Sequence, residues 1–218
     1  MSVDMAAPVY VGLDEWQGIL DEALHGLHHA LNNRISSLGA LVELQQTGEL
    51  VGDSPAMDTL VRDVHRLEEI GRLVAALTRE ATLGEEPLVV SDVLTDALTI
   101  HRYLHTSRDL PVTIAPSPYV EPVRVERWAL LRALVLLLRE AKEGAKRATG
   151  AVHVSMESDE QWTTVQMRVQ VQAPVEPAPS GSYADTLAQR MGGSIERLPG
   201  AVDLRLPTLK SRRAASGR

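Results

Sequence analysis

Apolar residues in the first third of the chain fall in two series with helical spacing. Leu24, Leu27, Leu31, Ile35, Leu38 and Val42 step by threes and fours, the stripe of an amphipathic or bundle helix, and Trp16, Leu20 and Ala23 extend it backwards. Asp14 and Glu15 favour the positive end of a helix starting near Leu13 or Asp14, and Gly48 is a plausible stop. Residues 50–55 have turn composition, with Ser54 as a cap and Pro55 at the first helical position. A second series, Met57, Leu60, Val64, Leu67, Gly71, Val74 and Thr78, is widened by Val61, Ile70 and Leu77 and predicts a helix over 56–82. Such a hairpin leaves one face of each helix uncovered, and no third long amphipathic helix lies nearby. Homodimerisation into a four-helix bundle is the simplest way to cover it.

The pattern changes after residues 84–87. Ser91 is expected to cap a helix running through Val93, Leu94, Ala97, Leu98 and Tyr103, and short alternating stretches follow near 111–115 and 122–125. A strong helix over 126–148 presents Leu130, Leu131, Leu134, Val135, Leu138 and Ala141. Val152, Val154 and Met156, then Val165, Met167, Val169 and Val171, alternate with polar residues as a half-buried hairpin does. A proline-rich loop over 173–182 precedes a helix over 183–191 ended by Gly192 and Gly193, and 195–198 with 202–206 form a last hairpin. The expected class is α+β: a long antiparallel helical hairpin followed by an α/β sandwich. Its expected parts are an irregular arm at 1–12, the hairpin at 13–83, a linker at 84–87, the α/β domain at 88–209 and a disordered basic tail at 210–218.

The net charge is −7, and because Lys210, Arg212, Arg213 and Arg218 carry four positive charges, the rest of the chain stands at −11. A nucleic-acid footprint is therefore not expected. The absence of cysteine excludes disulfides and thiol catalysis. The longest apolar run, 129–138, is broken by Arg132, and no basic segment followed by an apolar core opens the chain. A cytoplasmic protein without a membrane span is the resulting expectation.

Candidate chemistry concentrates on the first helix, in the polar cluster embedded in 24–44. At 100° per residue His29 lies about 200° round from Leu27, so it is expected to face solvent, with His25, Asn33 and Ser36 nearer the seam. The competing reading is an ordinary surface histidine. His25 and His29 have a spacing that can bind zinc, but no third ligand is evident, so no metal site is expected. Asn32 and Asn33 are poor helix formers in mid-helix, which marks them either as orienting groups or as a solvated polar face. His65, His101, His105 and His153 have no motif around them.

The order of elements resembles the core of a bacterial sensor histidine kinase, and three stretches carry the resemblance. His29-Ala30-Leu31-Asn32-Asn33-Arg34-Ile35 looks like the phosphoacceptor box, with His29 at the phosphorylated position. The helix over 126–144 and the two strands after it are similar to the family's nucleotide-domain helix and hairpin. Ala188-Gln189-Arg190-Met191-Gly192-Gly193-Ser194-Ile195-Glu196 looks like its last helix entering the closing strands. Asn33 matches a position that orients water in family phosphatases.

The departures decide what the resemblance implies. Where the family helix carries a magnesium-binding asparagine, Glu140 stands here; Gln172-Ala173-Pro174-Val175 replaces the adenine-recognising aspartate and glycines. Pro177-Ala178-Pro179-Ser180-Gly181 stands in place of the glycine-rich phosphate loop. Prolines supply neither the free N–H groups nor the dihedrals that cradling phosphates needs. Ala30 replaces the acidic neighbour expected to act as general base. The ATPase-like domain is thus expected to be degenerate and to bind no nucleotide or other cofactor. A nucleophile on a docking surface remains, which implies a histidine phosphotransferase that exchanges phosphoryl groups at His29 with a response-regulator receiver domain, the receiver supplying magnesium. The alternative from another class is a non-catalytic scaffold or inhibitor that binds a kinase or a response regulator. A divergent active kinase would need nucleotide binding without the usual loop.

Overall fold

A computed structural model describes residues 13–47, 55–78, 84–104, 111–117, 119–147, 150–170 and 181–216. The two apolar series form α1 (Leu13–Gln46) and α2 (Pro55–Thr78), which pack against each other. There follow β1 (Glu86–Leu88), α3 (Val90–His101), β2 (Val112–Ile114), β3 (Val123–Val125), α4 (Arg127–Arg147), β4 (Ala151–Ser158), β5 (Trp162–Gln170), α5 (Tyr183–Arg190), β6 (Ser194–Leu198), β7 (Ala201–Pro207) and α6 (Leu209–Ser216). The class is α+β with a mixed sheet.

Five strands form one sheet in the order β2-β4-β5-β7-β6, with β2 parallel to β4 and the other pairs antiparallel; β1 and β3 form a separate antiparallel pair. Alternation sends Val152, Val154, Val165, Met167, Val202, Leu204 and Leu206 to one buried face. α4 covers that face over β4 and β5, with α3 and α5 on either side of it. Because α4 is squeezed between the sheet and its neighbouring helices, its residues 133–138 are buried all round and a single-stripe reading understates it. Each leucine so buried contributes about 2 kcal/mol.

Trp16, Ile19, Ala23 and Leu27 of α1 and Ile70, Leu73 and Leu77 of α2 belong to the same core cluster as α3 and α4. The core therefore runs unbroken from the base of the hairpin into the α/β unit. Arg132 of α4 reinforces the junction: its guanidinium lies 5.0 Å from the Trp16 ring centroid and 4.9 Å from that of Trp128. Farther along the hairpin the stripe is bare, with Ile35 54% and Met57 56% exposed and Val42, Val61 and Val64 exposed beside them.

Several local expectations need correction. The N-cap of α3 is Val89, without a side-chain cap, and Ser91 sits inside the first turn; burial of Val90 draws the helix start forward. β1 occupies part of the expected linker by pairing with β3. Residues 210–216 of the tail expected to be disordered at 210–218 instead belong to α6. Thr208 Oγ1 accepts from the Ser211 N–H, Arg212 binds Glu85 and the Met191 carbonyl, and Lys210 pairs with Glu121, so the basic side chains find local acceptors. Gly192 takes φ +73° and ends α5 as expected. The proline-rich loop, which the sequence resemblance sets against a phosphate loop, lies largely outside the described residues, and the 1–12 arm, His105 and Val171 lie wholly outside them. No helix among the described residues is long and apolar enough to cross a membrane.

Candidate functional site

His29 lies near the middle of α1, exposed as its offset from Leu27 requires. It borders a cleft of about 520 Å³ between the hairpin and the end of α3. α1 contributes Gly26, His29, Ala30, Asn33 and Arg34 to the lining; Arg66 comes from α2, and Thr99, Arg102 and Tyr103 from α3 and the turn after it. Asn33 was expected nearer the hairpin seam. Four residues turn a helix through about 400°, so Asn33 stands only about 40° from His29 and shares its cleft. Asn32 points elsewhere, its amide 3.4 Å from Nε2 of His28. His25 and Ser36 are exposed. No cluster of three or more metal-binding side chains occurs among the described residues.

Gly26 sets the width of the cleft. A Cβ at this position would overlap the Tyr103 carbonyl oxygen, so α1 reaches the end of α3 only because residue 26 has no side chain. That end is tightened by i→i+3 bonds from the N–H groups of Arg102, Tyr103 and Leu104 to the carbonyls of Thr99, Ile100 and His101.

Three guanidinium groups border the cleft, and carboxylates hold two of them. Arg34 Nη1 donates to Asp63 Oδ1 at 2.9 Å, tying α1 to a buried carboxylate on α2, and Arg66 pairs with Glu69. Arg102 has no ion-pair partner among the described residues. Burial raises the Tyr103 phenol above its ordinary pKa, opposed by the positive charges of Arg66, Arg34 and Arg102. All three arginines thus act on one side chain. A second cleft, which also takes in Arg34 and Asp63, is lined by Thr59, Arg62 and His65 of α2.

Glu140 lies elsewhere, on the face of α4 towards α5 and β6. Arg197 of β6, its side chain only 5% exposed, donates from Nε to Glu140 Oε1 at 2.9 Å and from Nη2 to Oε2 at 3.1 Å. Its Nη1 reaches Asp185 Oδ1 at 2.8 Å and its Nη2 reaches Ser182 Oγ at 3.1 Å. Burial alone would raise the Asp185 carboxyl, but hydrogen bonds from Arg197 and Ser182 outweigh it and leave the pKa below the usual range. Ser182 and Asp185 also form the capping box that starts α5. Glu140, which the sequence resemblance sets against a metal-binding asparagine, is therefore engaged by a buried arginine.

The sequence pointed to His29, Asn33 and Glu140. It gave no sign of Arg102 or Arg197, because neither sits in a motif and both reach their places through contacts distant in sequence.

No protein-family model matches the chain, and no curated protein does. Among solved structures it is similar to the histidine kinase AdeS of Acinetobacter baumannii, at 14% identity over 83% of this chain and 98% of that one, with a TM-score of 0.43. It is also similar to the ATP-binding domain of PrrB from Mycobacterium tuberculosis, at 22% identity over 58% of this chain and 98% of that one, with a TM-score of 0.44. A third is histidine kinase ThkA, solved in complex with response regulator protein TrrA, at 15% identity over 92% of this chain and 65% of that one, with a TM-score of 0.48.

Proposed function

We propose that the chain is a histidine phosphotransferase of a two-component phosphorelay, exchanging phosphoryl groups between His29 and receiver domains without using ATP. The observation that carries the reading is the setting of His29: an exposed imidazole in a box-like sequence, on a firmly packed helix, beside a cleft with Asn33 and three arginines. In the transfer, a ring nitrogen of neutral His29 attacks the phosphorus of a receiver's aspartyl phosphate. The N–P bond forms as the acyl O–P bond breaks, and the receiver carboxylate leaves with the bonding electrons; the proton on the other ring nitrogen can pass to solvent. The reverse step returns the phosphoryl group. Because the receiver supplies magnesium and its acidic residues, this chain needs to provide alignment more than acid–base chemistry.

Two features favour transfer over ATP-dependent kinase action. Glu140 is held bidentately by Arg197, and Ala30 leaves no acid beside His29. The bare stripe of Ile35, Val42, Met57, Val61 and Val64 supports a homodimer that closes a four-helix bundle.

The test is transfer from a phosphorylated receiver to the wild type and to His29→Ala. Acid-labile label on the wild type alone supports the proposal. Binding of the receiver by both proteins with label on neither would instead favour the non-catalytic scaffold.

A further inference from the structure

We infer that the α/β unit completes the phosphoryl site, with Arg102 at the end of α3 serving as the positioning residue that holds the phosphoryl group on His29. The inference rests on the phosphotransferase reading and adds a role for the second half of the chain. His29 and Arg102 line the same cleft from opposite elements, α1 and the end of α3. Arg34 and Arg66 are already matched by Asp63 and Glu69, so Arg102 supplies the uncompensated positive charge among the described residues at this cleft. A phosphoryl group on His29 brings close to two negative charges and three acceptor oxygens, and a planar guanidinium can meet two of those oxygens at once. The chain holds the two sides at a fixed separation through the contact of Gly26 with the Tyr103 carbonyl and through the tightened turn that carries Arg102. Because Arg102 is exposed, its removal leaves the core intact.

The experiment uses phosphoramidate, a small donor that phosphorylates imidazoles without a protein partner, on the full chain. Wild type, Arg102→Ala, Arg102→Lys and His29→Ala are compared for the rate of phosphohistidine formation, its lifetime and the melting temperature. Arg102→Ala is expected to lower the labelling rate about tenfold at an unchanged melting temperature, with Arg102→Lys recovering part of it. Equal rates and lifetimes in wild type and Arg102→Ala would overturn the inference while leaving the His29 reading in place. If the wild type takes no label from phosphoramidate or from a receiver, the phosphotransferase reading fails, and inorganic phosphate still tests the cleft. Phosphate should then shift the His29 ring resonances of the wild type and do so at least about tenfold more weakly in Arg102→Ala; no shift in the wild type removes the site altogether.

Discussion

The His101 imidazole is buried against α4, with Nε2 2.8 Å from the Val135 carbonyl oxygen and, among the described residues, no partner on Nδ1. Nε2–H donates in that bond, and Nδ1 is shut off from the surface. Burial pushes its pKa down to about 4, against the hydrogen bond to Val135. In the unfolded chain the group titrates near 6.5, so folding is favoured fully above that pH and the contribution is lost as the pH falls from 6.5 to about 4. The loss amounts to about 3 kcal/mol. Urea unfolding across this range should show the slope in the wild type and a flatter dependence in His101→Gln; parallel curves would mean that His101 does not carry it. Gly26→Ala is a second residue-scale test. It forces α1 away from Tyr103 and should destabilise the fold by about 2 kcal/mol, the usual cost of overpacking, and an unchanged midpoint would show the contact to be slack. At this scale the sequence revealed local chemistry but not distant partners. The exposure of His29 followed from helical geometry. Arg34, the odd member of its box, made sense only once α2 placed Asp63 within 2.9 Å of it.

Elements with long, regular patterns were legible: α1, α2, α4 and the β4–β5 hairpin each bury a face whose spacing can be counted. β1 was not, because three residues are too few to establish a period and its strand character depends on pairing with β3, far along the chain. α6 escaped notice because its polar sequence has no apolar stripe, and tertiary ion pairs hold it. The connection of α4, α5 and β6 through Arg197 offers a prediction at the element scale. Arg197→Met removes the partner of two largely buried carboxylates, Glu140 and Asp185, and should cost about 3 kcal/mol of stability in chemical unfolding. The double change Arg197→Met with Glu140→Leu should recover part of that loss; failure to recover would show that the Glu140 pair is not where the stability resides. If α4 and its surroundings bind no nucleotide, millimolar ATP with magnesium will leave the melting temperature in place. A ligand-dependent rise would count against this part of the account.

For the whole molecule, the shared core makes the hairpin and the α/β unit one body, while the far half of the hairpin keeps its apolar stripe in the open. The break in hydrophobic pattern at 84–87 was readable, but the packing across it was not, because periodicity reports which face an element buries and not against what. Sedimentation at micromolar concentration should give a dimer for the wild type and a monomer for the double variant Ile35→Glu with Val61→Glu; a monomeric wild type would contradict the bundle. Under the proposed function, His29 receives a phosphoryl group and gives it back. The most direct test is a chase. The chain is labelled from a phosphorylated receiver, separated from it and mixed with fresh unphosphorylated receiver. Acid-labile label is expected on the wild type and not on His29→Ala, and that label should pass to the fresh receiver. Label that never reaches the chain, or that appears equally on His29→Ala, would contradict the proposed function.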